Sequence, residues 1–155
     1  MKLLKTPNQW SCLPVAFAMA LDIDIKDILK EIGHEGNKVV FKGPAPWRSF
    51  HLAECYRVAL RHSYACTRLP LTAISSPDRS QKFRIPNYHV WITEMLATSK
   101  GVLLGKGRFQ NHAVAWDGTN IYDPAGGIYG LHSSYFKPME YIRFDLISLP
   151  KIKSK

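Results

Sequence analysis

The sequence predicts an α+β fold, a helical N-terminal part packed on a small antiparallel sheet. The first observation is a change of period. Apolar residues recur with helical spacing over about 8–98 and fall into short strand-like runs over about 101–148. Helices first and strands later is the order of an α+β chain, not of alternating βαβ units. The second is the stretch Leu13–Leu21, which is apolar all round and therefore needs burial on every side. The third is size and composition. A chain of 155 residues, 46% hydrophobic and 21% charged, suits one domain over 1–155 with a real core and argues against disorder.

The elements follow in order. Met1–Gln9 reads as an extended lead-in. Ser11 is a helix cap for Cys12–Leu21, where Pro14 is tolerated in the first turn. Asp24 caps a second helix with Ile25, Ile28, Leu29 and Ile32 on one face and Gly33 as its stop. Val39–Phe41 reads as a short strand and Gly43–Pro46 as a loop. Ser49–Ser63 fits a helix with Leu52, Cys55, Tyr56 and Ala59 as its stripe. Tyr64–Ser75 holds strand-like pieces broken by Pro70, Ser76–Asn87 is loop-like, and Tyr88–Thr98 is a helix. Strand signals follow at Val102–Leu104, Ala113–Trp116, Ile121–Tyr122 and Tyr141–Phe144, with Gly126-Gly127 read as a turn.

Composition excludes several classes. The longest uncharged run near the start, Thr6–Leu21, is broken by Pro7, Asn8, Gln9, Ser11 and Pro14, so no membrane span is expected. No signal-peptide pattern is present either, and a cytoplasmic location is expected. Three cysteines without a CxxC pair argue against a disulfide framework or zinc ribbon. The histidines make no metal-ligand spacing, and no metal or other cofactor is expected. The net charge of +9 is local: Gly36–Trp116 holds 12 Lys/Arg against 3 acids, while the rest carries 9 of each. A basic central region can steer an anionic partner, but no nucleic-acid motif accompanies it.

Three residues point to chemistry. Cys12 stands in the first turn of the buried helix, where the helix dipole and unbonded N–H groups favour thiolate, the nucleophilic form. A cysteine nucleophile needs a base, and the base needs an orienting group. Asp117-Gly118 between two apolar runs predicts a two-residue hairpin turn, which sets His112 opposite Asp123. A longer turn over Asp117–Asn120 would shift the register by two and leave Asp123 diagonal to His112. Gln9 and Asn8 are both available as a side-chain oxyanion donor beside the Cys12 N–H, although Asn8 also suits turn chemistry after Pro7. Cys55 and Cys66 read as ordinary buried cysteines.

These motifs resemble the papain-like cysteine peptidases. The carriers are Asn8-Gln9-Trp10-Ser11-Cys12-Leu13-Pro14-Val15-Ala16-Phe17-Ala18-Met19, then Asn111–Trp116, then Tyr122-Asp123-Pro124-Ala125-Gly126-Gly127. Within that group the chain is most similar to the C39-like peptidases, whose typical member removes leader peptides from bacteriocins. It also resembles small peptidase-like proteins of tailed bacteriophages, which would place it in the host cytoplasm or the virion. The resemblance implies Cys12 as nucleophile, His112 as general base and acid, Asp123 as orienting group and Gln9 as oxyanion-hole amide. The family's glutamine commonly stands six residues before the cysteine, where this chain has Thr6. The implied function is hydrolysis of a peptide or isopeptide bond in a protein or peptide substrate. The alternatives are acyl transfer or deamidation on the same residues, or a catalytically silent binding or virion module that uses the basic surface.

Overall fold

The computed structural model describes residues 1–37, 49–71, 88–108 and 110–147. Among them are four helices and six strands. They run α1 (Cys12–Leu21), α2 (Ile25–Ile32), α3 (Leu52–Arg61), β1 (Tyr64–Pro70), α4 (Tyr88–Thr98), β2 (Gly101–Lys106), β3 (Asn111–Trp116), β4 (Asn120–Asp123), β5 (Gly127–Gly130) and β6 (Lys137–Leu146). The strands form one antiparallel sheet in the order β1-β6-β2-β3-β4-β5. The mixed helix and antiparallel sheet expected from the sequence is therefore present. The expected strand at Val39–Phe41 and the loops at Gly43–Pro46 and Ser76–Asn87 lie outside the described residues.

The sheet is covered on both faces, which explains its sequence pattern. Val102, Ala113, Ala115 and Ile142 turn to one face and pack with α1, α2 and α3. Leu103, Val114, Trp116 and Tyr141 alternate to the other and pack with Ile92, Met95 and Leu96 of α4. A strand buried on both faces reads as a continuous apolar run, as in Val102-Leu103-Leu104. Ala113 and Ala115 are small where α1 lies against β3, so the helix approaches closely. Val15, Ala16, Phe17 and Ala18 are all at most 1% exposed, because α1 is enclosed by α2, α3 and the sheet. That accounts for its all-round apolar sequence.

Two expectations are corrected. Residues 64–70, read as strand-like but placed within the helical part of the chain, form β1, an edge strand of the sheet paired along its length with β6. That pairing joins residues some eighty positions apart, and periodicity carries no signal for it. Gly127 is also not a turn residue. Pro124–Gly126 form the turn, with Gly126 at φ +113, and Gly127 opens β5 opposite Asp123.

Candidate active site

The loop before α1 is tied into a fixed turn by Asn8. Its Oδ1 accepts from the Trp10 N–H at 2.9 Å and the Ser11 Oγ–H at 2.7 Å. Its Nδ2 donates to the Glu35 carbonyl at 3.1 Å, joining the loop to the end of α2. Ser11 was expected to cap α1 with its side chain. It does not, because its hydroxyl is turned to Asn8 instead. Val15 N–H bonds the Ser11 carbonyl and Pro14 has no N–H. The Cys12 and Leu13 N–H groups are thus left uncapped at the helix start, beside a half-buried Cys12 thiol. Asn8 is a turn residue, with its amide already engaged. Gln9 is exposed and its side-chain amide is unbonded among the described residues.

The β3–β4 hairpin carries the other two groups. The register is Trp116↔Ile121 and Ala115↔Tyr122, two residues from the Asp117-Gly118 turn expected. The cause is Asp117 itself. Its Oδ1 accepts from the Thr119 and Asn120 N–H groups at 2.9 and 2.7 Å, and its own N–H bonds the Asn120 carbonyl. Asp117 thus precedes the turn, and Gly118, at φ +102, stands inside it. Asp123 is therefore diagonal to His112 rather than opposite. The imidazole spans the difference: His112 Nε2 lies 2.7 Å from Asp123 Oδ1.

Asp123 is held from three directions. Oδ1 also accepts from the Ala125 N–H at 2.8 Å, and Oδ2 accepts from the Tyr129 hydroxyl at 2.6 Å. Burial pushes its pKa up, but the hydrogen bonds from His112, Tyr129 and Ala125, with the His112 charge, hold it below the ordinary value. Burial would lower the His112 pKa. Its hydrogen bonds to Asp123 and to Cys12, reinforced by their charges, outweigh burial and raise it to about 9. With Nε2 committed to Asp123, Nδ1 is the ring nitrogen left to exchange a proton with Cys12. Phe136 packs edge-on to the His112 ring, with centroids 6.3 Å apart.

Cys12, His112 and Asp123, singled out in the sequence, are thus brought together. The other two thiols differ in kind. Burial, with a smaller contribution from the Glu54 charge, drives Cys55 far above the ordinary thiol range, and burial beside Asp145 raises Cys66 to about 11. Tyr129 and Phe136 were missed. The alternation of Tyr129 with Ile128 after a glycine turn was the available signal for β5.

A cleft of about 510 Å³ opens at this end of the sheet, walled by His112, Asp123 and residues of the β2–β3 connection, the β4–β5 turn and β5. The active cleft was expected between helices and sheet, but Cys12 is not among these walls. Of the twelve central cations, Lys38, Lys42, Arg48, Arg79, Lys82 and Arg84 lie outside the described residues, so the expected anionic-partner surface is only half in view. Among the others, Arg61 pairs with Glu31 and Arg68 with Glu140. No group of three His, Cys, Asp or Glu side chains among the described residues is arranged to hold a metal, and no described helix is long and apolar enough to cross a membrane. No protein-family model matches the chain, and no curated protein matches it.

Proposed function

We propose that this protein is a papain-like thiol hydrolase that cleaves a peptide or isopeptide bond through an acyl-enzyme on Cys12. One observation carries the reading: a single imidazole, His112, is hydrogen-bonded to a fixed carboxylate at 2.7 Å and interacts with the helix-start thiol of Cys12. Nucleophile, base and orienting group in that sequence are what covalent acyl chemistry requires.

Each step uses these atoms. Nδ1 of His112 takes the Cys12 proton, and Sγ attacks the carbonyl carbon of the scissile bond. Asp123 steadies the imidazolium that results. The oxyanion accepts from the uncapped Cys12 N–H and from the Gln9 amide, which is unbonded and three residues away. Collapse breaks the C–N bond, and His112 returns its proton to the departing amine. A water then attacks the thioester, giving one proton to His112. The C–S bond breaks, the acid product leaves and the sulfur is reprotonated.

A library of peptide-like electrophiles tests the reading directly. Mass spectrometry is expected to find the adduct on Cys12, at neutral pH, with Cys55 and Cys66 unmodified. Labelling of Cys12 no faster than Cys66 would reject the enzyme and favour the silent module.

A further inference from the structure

The cleft beside His112 has walls that indicate which part of a substrate it holds. We infer that it is the subsite for the leaving amine, and equally for an acceptor amine, and that it takes an amine bearing a large apolar side chain. The inference rests on the reading of His112 as the general acid and base. The imidazole that accepts the thiol proton must hand it to the leaving nitrogen, so that nitrogen lies against the His112 ring. His112 and Asp123 belong to the cleft wall and Cys12 does not. The acyl part of the substrate, bonded to sulfur, therefore lies outside this cleft, and the amine part lies in it. By microscopic reversibility, any amine that intercepts the acyl-enzyme enters the same place.

The chemistry of the walls selects the side chain. Ile128 and Tyr135 line the cleft while 53% and 65% exposed, among the most exposed large apolar residues described. Apolar surface of this kind beside a reaction centre marks a ligand wall. The Tyr129 ring stands 5.7 Å from that of Tyr135, extending the wall to the hydroxyl that holds Asp123. Gly107, also in the wall, lies directly against His112. A Cβ there would come within 3.2 Å of His112 Cβ. Of the wall's cations, His112 is paired with Asp123, and Arg108 already has an interaction of its own. An apolar side chain thus fits better than an acidic one, and its arrival against Tyr129 and Tyr135 excludes water from the Asp123–His112 pair.

The test uses the full chain carrying Cys12→Ala, so that binding is read without chemistry. Phenylalaninamide, leucinamide, glycinamide and glutamic acid α-amide are titrated, with amide shifts followed by ¹H–¹⁵N NMR. The two apolar amides are expected to bind about tenfold or more tightly than glycinamide, with shifts centred on Gly126–Tyr129. Ile128→Asp and Tyr135→Ser, both at exposed positions, should each erase most of that preference. Equal binding of all four amides, tightest binding of the acidic one, or shifts away from Gly126–Tyr129 would overturn the assignment. Electrophile labelling of wild-type Cys12 decides the enzymatic reading separately, so failure of one is distinguishable from failure of the other.

Discussion

Cys12 and Cys55 belong to neighbouring helices, and with Cys66 they border one hydrophobic cluster. Their surroundings are nevertheless opposite. Cys55 is 0% exposed, and burial with no compensating cation drives its pKa far up, which keeps the thiol protonated and inert. Cys66, half-buried beside Asp145, is pushed to about 11. Cys12 is the thiol placed at a helix start with uncapped N–H groups and against an imidazole already raised to about 9. The comparison teaches that the apolar core alone silences a cysteine. Cys12 differs in having the paired His112 and Asp123 beside it.

The sharpest way to break the contrast is to remove its subject. Cys12→Ala should abolish turnover and thiol labelling at neutral pH while leaving the far-UV circular dichroism spectrum unchanged, because a small residue fits the helix start. Loss of the fold in this variant would give Cys12 a structural role. Gln9→Ala should lower turnover by roughly 10²–10³ if its amide meets the oxyanion, with thiol labelling unaffected. Unchanged turnover would leave the oxyanion to backbone N–H groups alone. Asp123→Asn should slow turnover without ending it, and should bring the His112 imidazole titration down from about 9, read by NMR.

Smaller effects sharpen the comparison. Tyr129→Phe removes one of three hydrogen bonds to Asp123, so the Asp123 carboxyl should titrate higher and His112 slightly lower. The structural cost should be about 1 kcal/mol, read from urea unfolding. Stability should also depend on pH. His112 is raised from an unfolded value of roughly 6.5 to about 9. Its contribution is therefore fully present below about 6.5 and is lost as pH rises through about 9. Urea midpoints of the wild type should fall over that window, and those of His112→Gln should fall less.

How far the sequence reached differs between the two sides of the site. Both helices around Cys12 were legible, since α2 has an aspartate cap in Asp24 and a stop in Gly33, and α1 has an unbroken apolar body. The strands were legible as apolar runs, but not their order, because β1 meets β6 across about half of the chain. The His112–Asp123 contact was legible from the hairpin, although its register was not. An Asp-Gly pair marks a turn without saying whether Asp117 stands inside it, and here its carboxylate gathers the Thr119 and Asn120 N–H groups and moves it out. Tyr129 was not legible, since its role depends on β5 folding back beside β4.

The central claim is that His112, held by Asp123, makes Cys12 the reactive thiol. The most direct measurement is the pH dependence of iodoacetamide alkylation at Cys12, resolved from Cys55 and Cys66 by mass spectrometry, in the wild type and in His112→Ala. The expected result is alkylation of Cys12 at neutral pH that is about tenfold or more faster in the wild type than in His112→Ala. Identical rates and pH profiles for the two proteins would contradict the account.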